Sequence, residues 1–259
     1  MIRLVGVIAH NTFREAVRDR ILYNLVFFAL LMIAAAILVG QISIGIDSLV
    51  IVSLGLSAIS LIGLLMAMFI GVGLVYKEID KRTLYALLSK PVRRGEFLVG
   101  KFAGLVLTLT VNTALMTLGL AAALLFVKRS FALSDSYILV AVYFILLKLA
   151  LVTALALLFS CFSTPLLSIL FTVGIYITGL FANDIRTFSS ITGSRALDTF
   201  AVTLSYLLPN FNNFNAIASA AHGRAIPRAL IVQNTMYAAV YIAVVLLAAT
   251  VTFSRRNLK

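Results

Sequence analysis

Long apolar runs separated by short polar segments make up most of this chain. About 20 consecutive apolar residues are enough to cross the hydrocarbon layer of a bilayer. Six runs reach or approach this length, at residues 21–40, 49–75, 102–126, 137–162, 165–182 and 229–253. The pattern predicts an all-α integral membrane protein with six transmembrane helices.

The weakest boundary lies between the fourth and fifth runs, where only Ser163 and Thr164 interrupt the apolar sequence. Merging the two runs would give five spans. Pro165 favours six, because proline is well suited to the first turn of a new helix and the merged run is far too long for one crossing.

The composition supports a membrane protein, with 62% hydrophobic and 12% charged residues. Soluble domains contain about 45–50% apolar and about 25% charged residues. The net charge of +12 does not indicate nucleic-acid binding, because the basic residues cluster before the first run, in residues 75–101 and after the last run. Basic segments flanking alternate spans are typical of cytoplasmic loops. We therefore predict a multi-pass protein of the inner membrane with both termini in the cytoplasm.

Two segments outside the spans have apolar patterns of their own. Residues 1–20 predict an amphipathic helix lying in the inner membrane interface, with a solvated lead-in helix as the alternative. Residues 183–228 are long and apolar for a loop. We interpret them as two short helices dipping into the outer leaflet and joined near Pro209, with an irregular outer loop as the alternative. The simplest partition is one transmembrane domain, residues 1–259.

One stretch has the spacing of a phosphate-binding loop, G-x-x-x-x-G-K at Gly95–Lys101. The motif requires Ser or Thr next and a buried strand before it, but Phe102 follows and a basic segment precedes. We therefore predict no nucleotide site there, and interpret Gly100 and Gly104 as small residues that allow close helix packing.

The sequence offers no catalytic constellation. The two histidines, His10 and His222, fall on opposite sides of the membrane in the predicted topology, and the single Cys161 ends a span. No spacing assembles a nucleophile with a base or a set of metal ligands. We expect no enzymatic activity, no metal and no cofactor in this chain.

Lys148 is the one ionisable residue well inside a predicted span. An intramembrane charge is a candidate functional group facing the bundle, although a lysine extending to the interface is the alternative. Further polar residues of the outer segment are candidates for a solute path or outer gate, or merely mark the interface. They are Asp184, Arg186, Asn210, Asn212 and Asn213.

The basic segment at residues 76–96 predicts a short amphipathic helix from about Lys77 to Lys90, ended by Pro91. Its apolar residues recur at helical spacing and could present one face to a partner. The alternative is a solvated cytoplasmic segment without a partner. Contact with anionic lipids is compatible with both.

The segment follows the arrangement E-x-x-x-[K/R]-T-L-x-x-L-L-S-x-P-V-x-R and resembles the permeases of type-2 ABC transporters. LPNFNNFN at residues 208–215 is similar to the branch associated with multicopper-enzyme and nitrous-oxide-reductase maturation. The resemblance implies that residues 76–96 form a coupling helix that docks on a separate ATPase. The matching positions are Glu78, Arg82, Thr83, Leu84, Leu87, Leu88, Ser89, Pro91, Val92 and Arg94, and all of these except Ser89 and Val92 are the expected docking residues.

The resemblance also implies partners. Two ATPase subunits would bind ATP and magnesium, and a second permease copy would complete the membrane part, more readily as a homodimer than as a heterodimer. Membrane lipids are the remaining partner. The function implied is that of an ATP-driven exporter. The alternative is a membrane anchor or assembly protein of a maturation or motility complex that transports nothing.

Overall fold

The computed structural model describes residues 2–42, 46–80, 94–129, 133–181 and 208–255, and every regular element within them is helical. The α-helices are α1 Ile2–Val17, α2 Arg20–Ile42, α3 Asp47–Asp80, α4 Arg94–Lys128, α5 Tyr137–Ser160, α6 Pro165–Leu180, α7 Ile217–Ala221 and α8 Arg228–Arg255. Short 3₁₀ turns occupy Leu133–Ser136 and Phe211–Phe214. The predicted all-α membrane fold is confirmed.

Five of these helices, α2, α3, α4, α5 and α8, are long and apolar enough to cross a membrane. The predicted break is present, because α5 ends at Ser160 and α6 begins with Pro165 after the extended Thr164. The 16 residues of α6 span about 24 Å, which is less than the ~30 Å hydrocarbon layer. Residue 182, the predicted end of this span, lies outside the described residues. Six crossings therefore remain a prediction.

Two helices extend beyond their predicted spans toward the basic segment. α3 continues to Asp80, so Lys77 lies inside this helix rather than at the start of a new one. α4 begins at Arg94, two turns before the predicted span, because its first turns pack against α1 and α8 instead of entering lipid alone. The rest of the predicted coupling helix, residues 81–93, lies outside the described residues.

Contacts at two glycines of α3 show the relative direction of α3 and α5. An added Cβ at Gly63 would lie 2.6 Å from Leu149 Cδ1, and one at Gly71 would lie 3.3 Å from Ala156 Cβ. The contacts advance along α3 and α5 in the same direction, so these helices are parallel. Parallel second and fourth spans are what an alternating path through the membrane requires.

One end of the bundle gathers the first turns of α4, the last turn of α8 and the turn between α5 and α6. Phe97, Leu98, Cys161, Ala249 and Phe253 form one buried cluster there. α1 packs against α4 at the same end. We call this the junction end, and the opposite end, which carries residues 208–227, the cleft end. That the junction end faces the cytoplasm remains a prediction.

The core is organised around α5, which contacts α3, α4, α6, α7 and α8. Its residues are buried around most of the helix, from Ile138 to Ser160. A helix that is apolar all round belongs in the interior of a bundle. α8 instead leaves a row of large apolar side chains exposed, as a lipid-facing helix would. The row is Val232, Met236, Val240, Val244, Leu247 and Val251.

The N-terminal helix lies directly on α4 across two glycines. Ile8, Thr12 and Ala16 are buried on one stripe of α1. A Cβ at Gly100 would lie 2.8 Å from Ile8 Cβ, and one at Gly104 would lie 2.5 Å from the Ala9 carbonyl oxygen. The predicted role of Gly100 and Gly104 in close packing is confirmed, and α1 buries a single stripe, as an amphipathic helix does.

Gly104→Ala is expected to destabilise the protein, because its Cβ would meet backbone that cannot turn aside. Overpacking of this kind costs about 1–3 kcal/mol. Gly6→Ala is the matched control, since nothing lies within 4 Å of that position on α1. Thermal unfolding in detergent should show a lower midpoint for Gly104→Ala and no loss for Gly6→Ala. Equal midpoints for both variants would contradict the packing described.

Candidate functional site

The cleft end is closed in part by a packed segment rather than by an irregular loop. Phe211 and Phe214 are each 1% exposed, and Phe211 lies 5.0 Å from Tyr176 of α6 between ring centroids. Gly179 permits this contact, because a Cβ there would clash with the Pro209 carbonyl oxygen. After Pro209 the chain forms the 3₁₀ turn Phe211–Phe214 and the short helix α7. The prediction of two short helices that join near Pro209 and dip into the outer leaflet stays a prediction. The preceding residues, 182–207, lie outside the described part.

Hydrogen bonds tie this segment and α5 to the start of α8. Asn234 Nδ2 donates to the Asn213 carbonyl at 2.8 Å, and the Asn210 backbone N–H donates to Tyr237 Oη at 2.9 Å. The hydroxyls of Tyr143 and Thr235 lie 2.8 Å apart. A polar face of α8 therefore holds residues 210–213 in place.

Between α5, residues 213–226 and α8 lies an open cleft of about 300 Å³. Its wall combines carboxamides and a hydroxyl with apolar side chains. The lining residues are Phe144, Asn213, Asn215, Ala216, Ser219, Ile226, Leu230, Gln233 and Asn234. Carboxamides can both donate and accept hydrogen bonds. None of these nine residues is charged, so this part of the cleft wall offers neutral hydrogen-bonding groups.

The three asparagines proposed for a gate have different positions. Asn213 lines the cleft. Asn210 caps the 3₁₀ turn, its Oδ1 accepting from the Asn212 backbone N–H at 3.1 Å, and the Asn212 side chain is exposed. Asp184 and Arg186 lie outside the described residues. Of the three asparagines, which are the predicted outer residues that the structure describes, Asn213 lies in the cleft wall.

Lys148 lies at the middle of α5 and is only 7% exposed. Its Nζ donates to Ser60 Oγ of α3 at 2.5 Å. The alternative of a lysine extending to the interface is therefore wrong. Lys148 follows Phe144 by four residues, about 6 Å along the helix, and a helical side chain leans toward the N-terminus. Its ammonium group thus lies on the side of Lys148 that faces the cleft end.

Sequence reasoning missed the partners of these groups. Ser60 had no distinguishing signal, because serine is common in membrane helices. The consecutive polar residues Gln233, Asn234 and Thr235 in an otherwise apolar span were a usable signal. Polar residues inside a span mark helix contacts or pathways more often than lipid-facing surface.

Of the predicted docking residues, Arg82 to Pro91 lie outside the described part, and Glu78 is described only as backbone of α3. Arg94 is described fully, and its Nη1 donates to the carbonyls of Phe253 and Ser254 of α8 at 2.9 and 2.7 Å. The structure therefore gives one of these eight residues a side-chain contact, and that contact is within the chain.

The phosphate-loop spacing at Gly95–Lys101 falls inside α4 and has no loop geometry. Lys101 is 1% exposed, and its Nζ lies 3.7 Å from Glu15 Oε2 of α1. Across the described ranges, no three His, Cys, Asp or Glu side chains come together as metal ligands.

Ser60→Ala is expected to destabilise the protein more than Lys148→Met. The first leaves a buried ammonium group without its acceptor, a loss of at least about 1–3 kcal/mol. The second removes the charge, and the Ser60 hydroxyl can then bond to its own helix backbone, as serine and threonine do in helices. Thermal unfolding should show that adding Lys148→Met to Ser60→Ala recovers stability. A double variant less stable than Ser60→Ala alone would contradict this reading.

Comparison with known proteins adds a family. No curated protein matches the sequence. A family model described as ABC-2 family transporter protein matches residues 7–258, nearly the whole chain. This range includes α1 from its second turn, all the spans, the cleft and the junction end. A family of this kind implies a membrane permease that is not itself an enzyme and that works with an ATPase partner. The chain belongs to the ABC-2 family of transporter proteins and is a multi-pass membrane permease of an ABC transporter.

Proposed function

We propose that this permease is an exporter subunit energised by a separate ATPase that docks on residues 76–96. The family match over 7–258 carries the proposal, because an ABC permease requires an ATPase and this segment joins two long spans. The docking residues would be Glu78, Arg82, Thr83, Leu84, Leu87, Leu88 and Pro91. Arg94 belongs to the same motif, but its side chain is bonded to α8. ATP and magnesium would bind in the partner.

The complete transporter would contain two permeases, as a homodimer, and two ATPase subunits in the inner membrane. Similarity of residues 208–215 to maturation permeases supports cargo linked to multicopper-enzyme or nitrous-oxide-reductase assembly. The junction end would face the cytoplasm, since basic residues flank the spans there. The cleft end would face outward.

For the solute path, we propose the cleft and Lys148. The cleft supplies hydrogen-bonding groups at the outer end, and Lys148 supplies a buried positive charge deeper in the bundle. Phe144 is 3% exposed, lines the cleft, and precedes Lys148 by one turn of α5. The Phe144 ring would block the way from the cleft to Lys148 until the helices move. Asp184, Arg186, Asn210 and Asn212 would complete the outer gate.

The docking proposal is tested by replacing Leu84, Leu87 and Leu88 with Asp. Charges on the apolar face should abolish co-purification of the ATPase from native cells, because burying an unpaired carboxylate is costly. Replacing the same leucines with Met is the control and should preserve binding. Retained association in the Asp variant would sink the docking assignment. Absence of any ATPase from wild-type preparations would favour the anchor or assembly alternative.

The sidedness is tested with single cysteines in a Cys161→Ala background. Gln233→Cys at the cleft and Ser254→Cys at the junction end replace exposed residues. A membrane-impermeant maleimide should label Gln233→Cys in spheroplasts, and Ser254→Cys only after permeabilisation. The reverse pattern would place the N- and C-termini outside the cytoplasm.

A further inference from the structure

The first turns of α4 hold the C-terminal end of the last span. The last carbonyls of a helix receive no N–H donor from within that helix, so they remain available to outside donors. Arg94 supplies such a donor, with Nη1 at 2.9 Å from the Phe253 oxygen and 2.7 Å from the Ser254 oxygen. A cation also suits the negative end of the helix dipole. The contact therefore combines directed hydrogen bonds with favourable electrostatics.

Aromatic packing supports the same contact from the buried side. The rings of Phe97 and Phe253 stack with centroids 6.1 Å apart, and the Arg94 guanidinium lies 5.9 Å from the Phe253 centroid. One turn away along α8, a Cβ at Gly95 would lie 3.3 Å from Thr250 Cγ2. Three residues of one helix turn thus contact one short stretch of α8.

The other side of the same α4 segment carries α1. Gly100 and Gly104 admit the α1 backbone, and Lys101 Nζ lies 3.7 Å from Glu15 Oε2. Residues 94–104 of α4 therefore join the N-terminal helix, the third span and the end of the last span. This joint begins directly after the segment between α3 and α4.

We infer that Arg94 is a positioning residue that makes the start of α4 and the end of α8 one rigid unit. The consequence of this rigid unit rests on the proposed function. If an ATPase displaces residues 81–93, the last span moves together with the third. Arg94 would then act within the permease and not as a contact with the ATPase. This role differs from the docking role that its motif position implies.

The rigid unit is tested first without any partner. In a Cys161→Ala background, Gly95→Cys and Thr250→Cys place two thiols close to disulfide geometry. Copper phenanthroline should cross-link the purified double-cysteine permease rapidly. Adding Arg94→Gln should slow cross-linking several-fold, whereas Arg94→Lys should slow it less because the charge remains. Arg14→Gln is the control, removing one charge at the same end without touching α8. Unchanged cross-linking in Arg94→Gln would overturn the inference.

The second test uses the complex purified with its ATPase and measures hydrolysis of MgATP. The Gly95–Thr250 cross-link should leave hydrolysis unchanged, since the two ends move together. Hydrolysis that is lost on oxidation and restored by reduction would show that they must separate, which would overturn the inference. Arg94→Gln should retain the ATPase but lower hydrolysis. Loss of the ATPase in that variant would make Arg94 a docking contact, leaving the proposed function intact. If wild type carries no ATPase, the proposed function fails and the first test alone decides.

Discussion

Close approach of helix backbones at glycines is the constraint on which this bundle depends. In lipid, apolar side chains gain little from leaving the solvent, so van der Waals contact between helices must supply much of the association. Gly55, Gly63 and Gly71 bring α3 against α4 and α5, and Gly100 and Gly104 bring α1 against α4. These contacts set the distances at which every polar group of the bundle meets its partner.

The polar groups then determine which arrangement is specific. The Lys148–Ser60 contact links two parallel central helices, where an unpaired ammonium group would be costly. At the cleft end, Asn234 and Tyr237 of α8 form hydrogen bonds to the backbone of residues 210–213. Lipid tails could not provide partners for these polar groups. Apolar contacts alone would allow several axial positions of one helix against another, whereas these hydrogen bonds form in only one of them.

Hydropathy predicted most of the helices, the break before Pro165 and the amphipathic pattern of α1, because length and periodicity follow from local sequence. It could not predict that α4 begins at Arg94, since that depends on two other helices lying beside it. The Lys148 partner was also out of reach, because it depends on the relative rotation of α3 and α5.

The cleft shows the same division between local and distant information. The sequence identifies the asparagines of residues 210–213 as candidates. Only tertiary packing determines that Asn213 lines the cleft and that Asn212 does not. The polar run in α8 is visible in the sequence, but the sequence does not show which helices and residues it faces. Residues 81–93 and 182–207 hold most of the remaining predicted site residues, and those predictions stand as sequence inferences.

The seat of α1 on α4 has a consequence for how the protein is made. Thr12 packs against Gly104, so its binding surface does not exist until 104 − 12 = 92 further residues have been synthesised. At ~5–20 residues per second, that is a wait of about 5–20 s. An amphipathic helix can rest its apolar side in the membrane interface during this interval. During this interval the apolar stripe of α1 needs another place, and the membrane interface offers one until the third span brings Gly100 and Gly104.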